Sequence, residues 1–519
     1  MKYKDIRIKI YGEKMKKSTF GEIIREKRLE CGLSQFQLGR LLNVSDKAVS
    51  KWENNLAKPK SILLYRLCSI LGITIDELYI GENNDNVAAQ SFTKMQKQIL
   101  IHKAHNKLME LFSQNPPIEA VNRFETEKMT LMDSDVLYYF DLISKIKAVS
   151  LKRNSPILVR GGIGASFIAY LLGASDINPL QPHYYCPVCK KIEFVSSIYD
   201  CWDLEEKYCE KCKKLLVRDG HDIPFDVYRH AISKNIGFDI MLGQELHEDA
   251  NKIIMQYFNK YQVEMLQPSS EIAKMKLCSS IITYIVVKEQ EKNIFDMRDT
   301  NCTYEAYQQI ISEKMYINLL FDDEYEKFIF LEKAQKGTNQ INVKPNALLN
   351  IDLLKILMQD TGIVTDKIYS VIEKQKVKNF KDILKLLGII LCASSLTAEE
   401  QEKYLNKIMN KTETITYRDE VYQQICFQLH KAGYYDFGIA FMVMDRARKG
   451  VYYQNGMDKY TRDLLLDIGM NENYIESLTC VPYLFPKTQG IVFVRRLRML
   501  SWYKEQYPVE FKQIFQNNQ

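Results

Sequence analysis

Four cysteines in this 519-residue chain fall into two Cys-x-x-Cys pairs, Cys186/Cys189 and Cys209/Cys212, with nineteen residues between the pairs. Each pair can turn two thiolates toward one point. Two such turns can enclose one zinc ion with four sulfurs at about 2.3 Å. Four protein ligands leave no open coordination position, so the expected ion is structural; Cys201, between the pairs, is expected to be a spectator. Further on, Gly237-Phe238-Asp239-Ile240-Met241-Leu242 reads as a strand, and alternation puts Asp239 and Met241 on one face. One carboxylate can hold a divalent cation, but a pair of ions needs carboxylates to bridge it, and a thioether is a poor ligand for magnesium. Upstream, Ile157-Leu158-Val159 reads as a buried strand, followed by Arg160-Gly161-Gly162-Ile163-Gly164-Ala165-Ser166 and an apolar helix from Phe167 to Leu172. Strand, glycine turn and helix N-terminus can cradle an anion, because backbone N–H groups and the helix dipole point the same way. Arg160, Gly161, Gly162, Gly164 and Ser166 are therefore phosphate-binding candidates, although such a turn also occurs without a ligand. His183, His221 and His247 read as structural hydrogen-bonders.

Other elements would carry these groups. From Phe20 to Ile80 apolar residues recur at helical spacing. The first helix runs near Phe20 to Glu30 and stops at Gly32. The second starts at Ser34, an N-cap candidate, and buries Leu38, Leu41 and Leu42. Asn43 and Val44 make a turn. The third opens at Ser45 and turns Val49 and Trp52 inward. A fourth follows Pro59 and Ser61 through Leu63, Leu67 and Ile70, and a short fifth spans Ile75 to Leu78.

The string from Leu33 to Asn54, LSQFQLGRLLNVSDKAVSKWEN, together with LGITIDEL at Leu71 to Leu78, resembles the Cro/CI repressor family of helix-turn-helix proteins. The resemblance implies a third helix in the major groove of DNA. Ser45, Asp46, Lys47, Ser50 and Lys51 would face base edges or nearby phosphates, and Gln35 would sit at the backbone. It also implies pairing of two copies over paired half-sites; the other reading is a protein-interaction module that kept the fold without DNA affinity.

The body carries a second resemblance. RGGIGAS (160–166), NPLQPHYYCPVC (178–189), the second cysteine pair and DGHDIPF (219–225) occur in the order found in the PolC-type alpha subunit of bacterial DNA polymerase III. Leu353 to Ile363, Tyr474 to Ser477 and Tyr483 to Lys487 resemble its fingers. Palm and fingers are implied, and exonuclease, PHP, OB-fold and clamp-binding portions have no room. The departures concern chemistry. The family's Asp-Ile-Asp is Asp239-Ile240-Met241 here, a third carboxylate falls loosely on Asn342, and Lys-Ala-His becomes Lys487-Thr488-Gln489. Asp239 would thus be vestigial, and bound Mg2+ is doubtful, with Glu245 or Asp249 as the remaining substitutes.

The implied fold is multidomain: a basic N-terminal arm (1–17), an all-α helix-turn-helix head (18–80), a partly helical linker (81–117), an α+β palm (118–300) with a zinc-binding insertion (186–212), a weakly assigned connection (301–345) and a mainly α, fingers-like region (346–519). Met15 is an alternative start to Met1. The chain has a net charge of +6, and no apolar run of membrane length occurs. Residues 1–80 hold sixteen Lys/Arg against nine Asp/Glu, a basic end suited to double-stranded DNA. Residues 487–512 interleave six Lys/Arg with Phe493, Trp502 and Tyr503; this run either faces nucleic acid or triphosphate, with Lys487 as a phosphate candidate, or is a packed and solvated helix. Twelve cysteines without a secreted framework fit a reducing cytoplasm. Three roles remain open: a DNA-binding regulator with an idle polymerase-like body, a minimal residual polymerase or nucleotidyltransferase, and a decoy that engages nucleotide or replication proteins.

Overall fold

A computed structural model describes residues 19–515, apart from 43, most of 60–84, 113–115, 233–235, 259–261, 277, most of 288–314, most of 336–376, 395, 410–414 and 436. The arm 1–17, the turn residue Asn43, the fifth head helix, Asn342 and most of Leu353 to Ile363 lie outside the described residues. Two compact units divide the chain, 1–103 and 104–519. Among the described residues no helix is long and apolar enough to cross a membrane.

Among the described residues the first unit opens with three helices, and each start is chemically marked. Helix α1 (Phe20–Glu30) opens on a capping box between Thr19 and Glu22, and the chain leaves it through Gly32 at φ 66°. Helix α2 (Gln35–Leu42) begins with a reciprocal pair: Gln37 N–H donates to Ser34 Oγ at 3.1 Å, and Ser34 N–H donates to Gln37 Oε1 at 2.8 Å. Helix α3 (Asp46–Glu53) is capped by Ser45 Oγ, which accepts from Ala48 N–H at 3.2 Å. Phe20, Ile24, Leu38, Leu42, Val49, Trp52, Leu67, Leu71 and Met95 form one core; Leu41, expected inside, is exposed. A methyl group on Gly21 would lie 2.4 Å from the Glu53 carbonyl oxygen, so only glycine lets α1 approach the end of α3 this closely. Helix α4 (Asp85–Phe112) starts inside the loop that Gly81 to Asn86 suggested.

In the second unit the end of α4 is followed by α5 (Ile118–Met132) and α6 (Val136–Lys152). Strands β1 (Leu158–Arg160), β5 (Gly237–Met241), β6 (Gln262–Leu266), β7 (Ser280–Val287) and β8 (Tyr316–Phe321) form a sheet of order β1-β5-β8-β7-β6. Only β5 and β8 run parallel. The sheet includes Arg160, which the sequence placed in the turn. Phe238 of β5 stacks on Tyr139 of α6 at 4.9 Å and meets Phe140 edge-on, so α6 covers that face. Asp239 therefore points to the opposite side. A second sheet, β3-β2-β4, joins β2 (His183–Tyr185), β3 (Ile192–Phe194) and β4 (Val217–Asp219) and carries the cysteine pairs. Helices α7 (Phe167–Leu171), α8 (Phe225–Ile232), α9 (His247–Tyr257), α10 (Ser270–Met275) and α11 (Asp323–Gln335) lie between strands or follow them. The C-terminal part is helical: α12 (Phe380–Ala393), α13 (Ala398–Met409), α14 (Arg418–Lys431), α15 (Gly438–Arg448), α16 (Val451–Asn455), α17 (Lys459–Asp467), α18 (Glu472–Leu478), α19 (Lys487–Gln506) and α20 (Pro508–Phe515). An all-helical head, a mixed α/β body and a helical C-terminal region thus agree with the expected class.

Candidate nucleic-acid and metal sites

On α3, apolar spacing sends Val49 and Trp52 into the core and leaves the other side in solvent. Ser45, Asp46, Lys47 and Lys51 are exposed and Ser50 is half-buried. Gln35, the first residue of α2, donates through Nε2 to Glu53 Oε2 at 2.7 Å. Glu53 is buried and paired with Arg28 through two bonds, Nε to Oε1 at 2.5 Å and Nη2 to Oε2 at 3.0 Å. Arg28 also donates to the Leu33 carbonyl at 2.6 Å. This bidentate pair ties α1, α2 and α3 together and fixes the side chain of Gln35. Sequence reading missed it, since twenty-five positions separate its partners.

The four candidate ligand sulfurs lie within 4.8 Å of one another, and Cys189 Sγ is 3.7 Å from Cys209 Sγ. Tetrahedral zinc–sulfur bonds of about 2.3 Å imply sulfur separations of about 3.8 Å, so the donor set fits a metal ion. The two turns repeat each other. Cys189 N–H donates to Cys186 Sγ and Cys212 N–H to Cys209 Sγ, both at 3.4 Å. Lys190 and Lys213 follow at φ 61° and 54°, and their N–H groups return to the Cys186 and Cys209 carbonyls. The Cys189 N–H bond, opposed by burial, brings the Cys186 thiol down, while burial and its neighbouring sulfurs push the Cys212 thiol up, so the cluster shares its protons unevenly. Cys201 is separate: buried, and 3.9 Å from His221. His221 Nδ1 lies 2.9 Å from Asp200 Oδ2, and His183 Nδ1 lies 2.7 Å from the Gln181 carbonyl.

Around the glycine turn, the anion position is filled by the protein itself. Glu127 of α5 is fully buried. It accepts from Phe167 N–H at 2.8 Å, Ile168 N–H at 3.0 Å and Ser166 Oγ–H at 2.7 Å, and it pairs with Arg123 at 2.5 Å. The first donors of α7, Ser166 included, are thus committed to an internal carboxylate. Arg160 is buried and donates to the Lys276 carbonyl at 2.5 Å. Lys487 is buried too, with its ammonium on the carbonyls of His221 at 2.7 Å and Tyr199 at 3.3 Å. Gly161 takes φ 87°, and its carbonyl accepts from Thr488 at 2.7 Å. Gly162 and Gly164 lie against Tyr228 and Thr488. Arg160, Ser166 and Lys487, the expected phosphate candidates, therefore each bond a protein group: the Lys276 carbonyl, the Glu127 carboxylate and the His221 carbonyl. In the basic run after Lys487, Arg496 is buried against Asp322 and Arg498 stacks on Trp202, while Arg495 and Lys504 are half-buried and Lys512 is exposed.

Register places Arg160, Asp239, Asn318 and Thr283 in one row across four strands. Asn318 Nδ2 donates to Asp239 Oδ1 at 2.8 Å, while its own oxygen accepts from Thr283 at 2.7 Å and Tyr307 at 3.3 Å. The Lys276 ammonium sits 3.1 Å from Asp239 Oδ2 and 3.3 Å from Oδ1. Burial alone would raise the Asp239 carboxyl; Lys276, Arg160 and the Asn318 amide overcome it and hold the group below the ordinary carboxylate range. Met241 stands in the neighbouring row with Leu158, Leu320 and Ile281, 1% exposed. A carboxylate in that row would have no polar register partner. Asp249, a candidate substitute, pairs with Arg153 at 3.0 Å. Among the described residues Asp239 belongs to no cluster of three or more acidic, His or Cys groups able to share an ion. Asn318 left a visible signal, one amide in the otherwise apolar run Tyr-Ile-Asn-Leu-Leu-Phe; Lys276 left none.

Residues 24–78 match a profile described as helix-turn-helix, and residues 98–340 match one described as the bacterial DNA polymerase III alpha NTPase domain. PolC-type DNA polymerase III of Ureaplasma parvum is 22% identical over 486 residues, covering 80% of this chain and 33% of the relative. The protein of the same description from Thermotoga maritima is 22% identical over 479 residues, 80% of this chain and 34% of the relative. That from Mycoplasmopsis pulmonis is 23% identical over 507 residues, 84% and 33%. The chain spans about a third of the length of these relatives. The chain thus joins a stretch, 24–78, that matches the helix-turn-helix profile to a body that over 98–340 matches the bacterial DNA polymerase III alpha profile and is similar to PolC-type DNA polymerase III.

Proposed function

We infer that the chain is a sequence-specific DNA-binding protein, acting as a transcriptional regulator, whose polymerase-like body does not add nucleotides. The observation that carries the inactive body is the Lys276 ammonium on Asp239, beside an apolar row that includes Met241. A two-ion mechanism needs carboxylates that bridge cations about 3.5–4 Å apart. Here the one strand carboxylate is neutralised by a side chain, and its second position is a thioether. Bound metal is assigned to Cys186, Cys189, Cys209 and Cys212, with zinc as the ion that four thiolates select. A homodimer over paired half-sites in a reducing cytoplasm completes the reading; the described cysteines stand outside any disulfide.

Selection from a random duplex library tests the head. An enriched motif lost in a Lys47→Ala/Lys51→Ala variant is the expected result, and no enrichment sinks the regulator. Primer extension with magnesium or manganese tests the body. Extension that disappears in Asp239→Ala would establish the rival, a minimal polymerase, and overturn the inactive reading.

A further inference from the structure

We propose that the cysteine-bound metal acts as a latch that holds the C-terminal helices on the polymerase-like body. The loop between the two cysteine pairs is where these helices dock. Asp203 accepts from the first two amides of α12, Phe380 N–H at 2.6 Å and Lys381 N–H at 3.0 Å. Trp202 packs on Phe380 at 5.8 Å between ring centres, and Arg498 of α19 lies 5.1 Å from the Trp202 ring and 5.3 Å from that of Phe380. Tyr199 bonds Glu420 of α14, and its ring lies 4.0 Å from the Lys487 ammonium of α19. Three helices far along the chain, α12, α14 and α19, thus converge on Tyr199 to Asp203.

Asp200 is tied to His221 at 2.9 Å and Cys201 N–H to the Gly220 carbonyl at 3.1 Å, but the loop has only a small sheet and a small core of its own. Its sheet pairs only three residues per strand. Its core has three buried side chains, Tyr184, Cys201 and Leu204, with Val195, Ile198, Trp202 and Leu216 half-covered around them. Units below about 40 residues usually need metals or disulfides to keep a fold. The Cys-x-x-Cys turns close both ends of the loop, at Cys189 and Cys209, so metal binding there is also loop ordering. Metal loss would release the acceptor of the α12 amides and the shelf under α19, while the five-stranded sheet has its own core of Phe238, Ile240, Leu319 and Tyr284.

Hydrogen exchange on the full chain tests this, with zinc loaded or removed by a chelator and metal content measured in parallel. Zinc removal should speed exchange at Phe380 and Lys381 at least tenfold and leave Ile240 and Leu319 unchanged. Asp203→Ala should give the same acceleration with zinc still bound. Equal protection of Phe380 and Lys381 with and without zinc would overturn the latch, as would unchanged protection in Asp203→Ala. Equal loss of protection at all four amides on zinc removal would also overturn it, because the metal would then stabilise the whole unit.

Discussion

At the scale of single residues, charge placement separates the two sites. Lys47 and Lys51 are exposed on α3, free to meet an external anion, whereas Lys276 is spent on Asp239. Lys47→Ala and Lys51→Ala should each weaken operator binding by roughly 1–3 kcal/mol where they reach bases and by less where they touch only phosphate, as titration by fluorescence anisotropy would read. Lys276→Met leaves the half-buried Asp239 carboxylate without its ammonium partner and should cost about 1–2 kcal/mol of stability in urea melts. Adding Asp239→Asn should cost less than the sum of the two single changes, because the pair shares one interaction. The pH dependence follows from the directions of the shifts. Asp239 titrates lower folded than its unfolded value near 3.9, so its contribution is complete above about pH 4 and is lost as pH falls through the folded value. Lys276 is raised on folding, mainly by Asp239 acting against burial, so its contribution is complete below about pH 10 and is lost only above that. Asp239→Asn should therefore flatten the acid limb of the stability profile; an unchanged limb would mean that the pair does not contribute.

At the scale of elements, legibility followed distance along the chain. The bounds of α1 were readable because Thr19, Glu22 and Gly32 mark them locally. The cysteine turns were readable because four ligands within twenty-seven positions leave few arrangements. Asp239 and Met241 were placed on one strand face by period alone, and the register agrees. Partners brought together by tertiary folding were not readable. Glu127 lies thirty-nine positions before Ser166, and Lys276 thirty-seven after Asp239, and no spacing rule links either pair. For that reason the Glu127 carboxylate on the first amides of α7 could not be foreseen from the glycine turn. The cysteine turns also carry an element-scale expectation. Cys186→Ser or chelation should lower the melting temperature of the cysteine loop and the C-terminal helices docked on it, and leave the five-stranded sheet and α1 to α3 intact, since a closed tetrathiolate site contributes folding energy where it sits. Unchanged melting after verified metal loss would contradict it.

At the scale of the molecule, charge is unevenly shared, and this decides how the chain should meet DNA. Of the net +6, residues 1–80 alone contribute a surplus of seven, so the remainder is close to neutral. Within the body, several cations are already engaged by Asp239, Asp322, Glu127 and backbone carbonyls. Non-specific affinity should then reside in the head, because released counterions, and so the salt dependence, track phosphates neutralised by free Lys and Arg. Each contact adds about −0.9 to the slope of log affinity against log salt. The full chain on random duplex should accordingly show a slope of only a few units. Lys47→Ala/Lys51→Ala should make that slope shallower by up to about 2, while Arg495→Ala/Lys504→Ala on α19 should leave it within about 0.3. The contrast is informative because both pairs remove the same formal charge from the chain. If the α19 pair flattened the slope as much as the α3 pair, the body would be gripping DNA through its C-terminal helices, and a role confined to the head would have to be abandoned.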